Sequence, residues 1–189
     1  MAGLSSSKPM EDRWRSLLPV DKSWRERWSD FGIDYVAPHD LSKSSEYPEN
    51  SFDVIYSHAC LGHIPSPQLQ LVAAEMHRIL KTNGISCHVI DLVDDHANVD
   101  PSIGPLDFLK YDDETWQRIG NSKLHYQNRL RPRDYVQLFA PPGWNIKCQL
   151  NPDARVKVDR TGFAKQFQDL TDEELQSERF SLIATKSGD

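Results

Sequence analysis

The chain has 189 residues, 38% of them apolar and 26% charged, which suits one soluble domain with its own core and leaves no room for two comfortable ones. A net charge of -6 makes a nucleic-acid backbone a poor partner, and no apolar run approaches the ~20 residues of a membrane-spanning helix. Cys60, Cys87 and Cys148 are odd in number and widely spaced; Cys87 and Cys148 lie in apolar runs, so buried reduced thiols and a cytoplasmic setting are expected rather than a disulfide framework.

Residues 1–12 are polar and Ser-rich and read as a disordered tail, with residues 13–189 as the domain. A helix through Trp24 and Trp28 is expected to end at Gly32, and Trp14 joins these two as helix-face packing. Ile33 to Pro38 reads as a strand-like run stopped by its proline, and residues 39–51 read as a loop. Phe52 to Tyr56 is a short apolar run between polar loops, the pattern of a buried parallel strand. Ser66 and Pro67 open a helix whose apolar residues Leu69, Val72, Met76, Ile79 and Leu80 recur every three or four positions, and Asn83-Gly84 closes it. Ile85 to Ile90 is the next strand. Strand, helix and strand at this spacing make a βαβ unit with a parallel pair and a right-handed crossover.

Further along, a helix is expected at Asp112 to Ile119 and a short one at Arg133 to Phe139, stopped by Pro141-Pro142-Gly143. Trp144 to Leu150 reads as a strand. Thr171 and Glu174 form a capping box for a helix at Asp172 to Gln176, and Phe180 to Thr185 is the last strand. With no full helical crossover between them, the two closing strands are expected to pair antiparallel at the sheet edge. The class is α/β.

Two stretches carry a resemblance. The segment Ile33-Asp34-Tyr35-Val36-Ala37-Pro38-His39-Asp40 with Asn50-Ser51-Phe52-Asp53-Val54-Ile55-Tyr56-Ser57-His58-Ala59-Cys60-Leu61-Gly62-His63-Ile64, followed by Glu75-Met76-His77-Arg78-Ile79-Leu80-Lys81-Thr82-Asn83-Gly84, resembles the middle of a class I S-adenosylmethionine-dependent methyltransferase of the type 11-like kind. The resemblance implies an incomplete Rossmann-like sheet, mostly parallel with an antiparallel C-terminal strand pair, and S-adenosyl-L-methionine across the carboxyl ends of the strands. It further implies cofactor contacts from Asp40 (adenine amino group), Leu41 (base face), Ser57 and His58 (methionine end). The family's glycine-rich loop is not found before Ile33, where the only glycines are Gly3 and Gly32, and Gly62 stands where the family often has Glu. The expected consequence is a domain truncated at its amino-terminal side, with weakened cofactor binding. A homo- or hetero-oligomer would cover the sheet edge so exposed.

Around that frame, Asp91, Asp94, Asp95 and His96 follow a parallel strand and are expected at the pocket mouth, either as a site or as a solvated acidic loop. His96 is the candidate general base and Asp95 its orienting carboxylate, since a carboxylate-held imidazole suits proton removal from a methyl acceptor; oxygen ligation of a divalent cation is the other reading of the cluster. Tyr126, Asn128, Arg129 and Arg131 form a polar stretch; Asn128 and Arg129 are the candidate substrate-binding residues, against a reading in which the arginines satisfy loop carbonyls. His58 and His63 lack the further ligands of a metal site, so no metal is assigned. The functions these features allow are a methyltransferase-like enzyme acting on a small molecule, or a catalytically inactive homologue serving as a binding or partner subunit. A nucleotide-binding protein of another Rossmann type would need a phosphate-cradling loop.

Overall fold

A computed structural model describes residues 28–122, 125–140, 143–152 and 158–187. It divides into two units, residues 1–39 and 40–189. In the first, residues 28–30 are helical and the chain turns at Gly32, whose φ of 73° is the left-handed conformation that ends a helix without a Cβ clash. The expected helix stop is there; the start of that helix, Trp14, and the tail lie outside the described residues. The expected strand at Ile33 to Pro38 does not form: the segment is irregular and exposed, with Trp28 and Tyr35 packed edge to face at 6.3 Å. Alternating apolar residues make a strand only where a neighbouring backbone supplies the ladder.

The second unit is built on four strands: β1 (Phe52–His58), β2 (Leu80–Asp91), β3 (Trp144–Pro152) and β4 (Ser177–Lys186). Their spatial order is β1-β2-β4-β3. β1 and β2 run parallel, joined by helix α1 (Ser66–Ile79), while β4 pairs antiparallel with both β2 and β3. The βαβ unit and the antiparallel closing pair are therefore as the sequence pattern requires, and the parallel part of the sheet among the described residues is the β1–β2 pair. Helices α2 (Asp113–Ile119), α3 (Pro132–Leu138) and α4 (Asp172–Gln176) fall within a residue of expectation. Thr171 and Glu174 close the expected capping box on α4.

The helix α1 ends at Ile79 rather than at Asn83-Gly84, because β2 begins at once and absorbs that pair as an irregularity opposite Phe52 and Val54. Asn83 adopts φ 64°, and a Cβ on Gly84 would stand 2.8 Å from the Lys81 carbonyl oxygen, so this kink demands these two residues. One face of the sheet is the core: Ile90, Phe180, Leu182 and Ala184 pack against Leu69, Val72, Ala73 and Met76 of α1 and Tyr135 of α3. The opposite face carries Val54, Tyr56, Ile85 and Ile183, all exposed. A second cluster, Phe108, Leu109, Trp116, Phe163, Phe167, Leu170 and Leu175, organises the loops that follow β2. The three cysteines are free, but Cys148 is exposed and Cys87 half-buried, not enclosed as their apolar neighbours suggest; both sit on strands whose outer positions face solvent.

The loop before β1 is pinned from α1. Glu75, buried among apolar residues, accepts two bonds from Arg78 (Nε at 2.8 Å and Nη2 at 2.6 Å), the Ser45 amide at 2.8 Å and the Ser45 hydroxyl. Arg78 also donates to the Tyr47 carbonyl at 2.9 Å. The Arg78 guanidinium is the first cause that holds the Glu75 carboxyl far down, at about 2. The Glu-x-x-Arg of the resemblance is thus a loop anchor.

Candidate functional site

The carboxyl ends of β1 and β2 lie side by side, with His58 opposite Val89 and the Ala59 amide donating to the Val89 carbonyl. β1 leads into a 3-10 turn at Leu61–His63, and β2 into another at Asp95–Asn98. Asp94, nearly fully buried, is the N-cap of that second turn: its Oδ1 accepts the His96 amide at 2.9 Å and stands 3.0 Å from His96 Nδ1. The sequence pattern put Asp95 in this role; the geometry gives it to Asp94, because an N-cap side chain bonds the amide two or three residues ahead. A proton on His96 Nδ1 directed at Asp94 leaves Nε2 with the lone pair of a base. The imidazole is further held edge-on to Trp116 at 5.9 Å and to His125 at 5.4 Å.

Asp95 faces elsewhere. Its Oδ2 lies 3.7 Å from both His63 Nδ1 and His125 Nε2, while its amide donates to Gln127 Oε1 at 3.1 Å. His63 Nδ1 stands 2.9 Å from the Tyr126 carbonyl oxygen. Three imidazoles and two carboxylates therefore meet where the parallel strands end, an arrangement that can hold and pass a proton. His125 is the member sequence reasoning missed, while His63 enters it only as a metal ligand without partners. His125 comes from a loop far along the chain, and only the i, i+2 spacing of Asp94 and His96 offered a local signal, that of a capped turn.

Other expected residues are engaged inside the protein. Asn128 donates to the Leu61 and Ile64 carbonyls, both at 2.9 Å, and its Oδ1 accepts the Leu130 amide and the Tyr135 hydroxyl. Arg129 is buried over the rings of Trp116 and Phe167, at 5.6 and 5.0 Å, and donates to the Phe108 and Tyr111 carbonyls and to Asp113. Asn128 and Arg129, expected to bind substrate, border a groove, but their donors are taken up within the protein by loop carbonyls and, for Arg129, by Asp113 as well. Arg131, fully buried, does the same for Leu92 and Glu174, and burial lowers its guanidinium to about 10.

Of the expected cofactor residues, Ser57 turns into the core, its Oγ 2.7 Å from His88 Nδ1. Leu41 packs against the main core. Asp40 accepts the Ser42 amide and hydroxyl at 3.0 and 2.6 Å, and these bonds lower its carboxyl. His58 is exposed at the end of β1. One turn-bound carboxylate and one open imidazole do not make up a grip for S-adenosylmethionine among the described residues.

Three concavities adjoin these elements. The largest, about 640 Å³, lies between α1 and α3 and Trp144, and none of the histidine–aspartate group lines it. A groove of about 450 Å³ is bordered by Trp116, Tyr126 and Gln127. A cleft of about 280 Å³ at the end of β2 is lined by Asp91, Asp95 and Arg179.

A parallel pair followed by two strands that close the sheet antiparallel defines an α/β protein with a Rossmann-like strand arrangement. Residues 3–88 match the family model described as a methyltransferase domain. That match covers 86 of the 189 residues, just under half of the chain. Among solved structures, a SAM-dependent methyltransferase from Archaeoglobus fulgidus is similar with a TM-score of 0.51 at 9% identity, over 85% of this chain and 71% of that one. A SAM-dependent methyltransferase from Methanosarcina mazei gives 0.49 at 17% identity, over 80% of this chain and 66% of that one. At such identities the likeness is one of fold. The chain spans just under two thirds of the length of the Methanosarcina protein. No curated protein sequence matches the chain. No helix among the described residues is long and apolar enough to cross a membrane.

Proposed function

We propose that this chain is a methyltransferase-like protein acting on a small-molecule acceptor at the carboxyl ends of β1 and β2, with weakened hold on S-adenosylmethionine. The observation that carries the reading is the 3.0 Å contact between Asp94 Oδ1 and His96 Nδ1. With the Nδ1 proton directed at Asp94, Nε2 is the nitrogen left to take the acceptor's proton as the acceptor becomes nucleophilic. His96 is the proposed base and Asp94 its positioning residue, while Asp95, between His63 and His125, sets the local charge. A cleft of about 280 Å³ beside Asp95 favours a small acceptor over a macromolecular one.

A second reading, a binding or partner subunit without catalysis, is favoured by one observation: Ser57 and Asp40 bond within the protein. Calorimetric titration with S-adenosylmethionine and with its demethylated product separates the two. Micromolar binding, with methyl transfer lost on His96→Ala but retained on Arg129→Lys, supports the enzyme. Absence of heat at high micromolar ligand removes the enzymatic reading and leaves the second.

A further inference from the structure

Gln127 is buried where three segments of the candidate site meet. Its Nε2 donates to the Val93 carbonyl at 2.7 Å and its Oε1 accepts the Asp95 amide at 3.1 Å. One planar amide thus holds the backbone on both sides of Asp94, as a neighbouring strand would. The orientation is specified, because a flipped amide would set N–H against N–H and oxygen against oxygen. The main chain of Gln127 is held as well. Its amide donates to Asn121 Oδ1 at 2.9 Å, and its carbonyl accepts the Trp116 indole N–H at 3.0 Å.

These bonds converge on the two neighbours of the His96 ring. Asp94 brings Oδ1 to within 3.0 Å of His96 Nδ1 from an extended backbone, φ -66° and ψ 121°, which Gln127 clamps at the residue before and the residue after. Trp116, bonded to the Gln127 carbonyl, meets the same ring edge-on at 5.9 Å. The hydrogen bond made by one imidazole nitrogen decides which nitrogen carries the proton, so a ring with a set tautomer needs its partner held still.

We propose that Gln127 is the positioning residue of His96: it holds Asp94 and Trp116 against the ring and so keeps the proton on Nδ1. As a statement about catalysis this rests on the reading of His96 as the base. As a statement about the ring it stands on the bonds alone. Gln127 acts through the backbone of Val93 and Asp95 and through the indole of Trp116, and takes no proton itself.

The test reads the His96 ring by nitrogen NMR in the full chain at alkaline pH, without any ligand. Gln127→Met is the variant, keeping the length of the side chain and removing both bonds. Asn128→Ala is the control, since it breaks buried bonds to Leu61, Ile64 and Tyr135 one residue along and none at Asp94 or His96. In the wild type the form protonated on Nδ1 is expected to exceed the other tautomer at least about tenfold, the weight of one hydrogen bond to a carboxylate. That ratio should fall at least about threefold in Gln127→Met and stay put in Asn128→Ala, although both variants lose stability. Amide exchange of the wild type needs no variant: the Gln127 side-chain N–H and the Asp95 amide should be protected together. An unmoved ring in Gln127→Met overturns the proposal. So does an equal shift in Asn128→Ala, or an Asp95 amide that exchanges freely. Methyl transfer separates this inference from the reading beneath it. A wild type that transfers no methyl group while its ring responds to Gln127→Met loses the enzymatic reading and keeps the positioning role; transfer with an unresponsive ring does the reverse.

Discussion

His88 makes the acid stability of this protein calculable. The ring is fully buried in mid-strand, with Ser57 Oγ 2.7 Å from Nδ1, Ser86 Oγ 2.7 Å from Nε2 and the Phe139 ring 5.5 Å away. Both hydroxyls can accept as well as donate, so hydrogen bonding alone does not forbid a second proton. Burial does, and it pushes the imidazole from 6.5 down to about 4. The unfolded chain therefore binds a proton that the folded chain refuses between these two values. Stability from this group is complete above about pH 6.5 and falls as pH drops toward about 4, by at most about 1.4 kcal/mol per pH unit and up to about 3 kcal/mol in all. His88→Gln keeps a polar group between the two serines but does not titrate. Urea unfolding followed by circular dichroism at several pH values across the window should show a steep fall for the wild type. The variant should be about 1–2 kcal/mol weaker near neutrality and visibly flatter. Equal slopes for the two proteins, or a His88 ring signal titrating near 6.5 by NMR, would refute the reasoning.

Glu75→Gln removes the charge that holds Arg78 and the Ser45 amide, and should cost about 2–4 kcal/mol, read as a Tm lowered by roughly 5–12 °C. The same carboxylate contributes stability above about pH 4.5 that is lost as pH falls toward about 2, so Glu75→Gln should erase an acid limb lying below that of His88. Asn128→Ala leaves the Leu61 and Ile64 carbonyls and the Tyr135 hydroxyl without their partner; a loss of about 2–3 kcal/mol in urea unfolding is expected, whereas a binding defect at unchanged stability would restore the residue to a substrate role. Gly84→Ala drives a Cβ against the Lys81 carbonyl oxygen and should cost about 1–3 kcal/mol by thermal denaturation, with no loss if the kink shifts freely.

The second unit was legible because its signals are local and repeated. Leu69, Val72, Met76 and Ile79 fall on one side of a helix, all are buried, and the short apolar runs on either side leave little choice but a parallel pair. Thr171 and Glu174 announced their helix by spacing alone. Ile33 to Val36 shows the limit of the same rule, for alternation records what a strand would bury and not whether a neighbour exists. In the candidate site the stretch Asp94 to His96 was legible as a group, but which carboxylate turns to the imidazole is decided by the capped turn. Arg129 and Asn128 misled for a different reason. Composition cannot say whether an arginine faces solvent, and what encloses this one is Phe167, brought in from far along the chain. The second cluster that encloses Trp116 is likewise assembled from segments with no common period.

Lys186 has a consequence for the order in which the protein is completed. Its ammonium reaches from the end of β4 to the His77 and Leu80 carbonyls, at 3.0 and 3.1 Å, and to Asn50 Oδ1 at 2.8 Å. The negative pole of α1 is thus neutralised by a residue more than a hundred positions downstream. A nascent chain that has finished its first strand–helix–strand segment still lacks the clasp on that segment's helix, and long-range closure is the slow part of folding. Trimming the protein from Lys186 onward would therefore fray a helix more than a hundred residues earlier in the sequence, and a tag fused just after β4 weighs on the loop at Asn50.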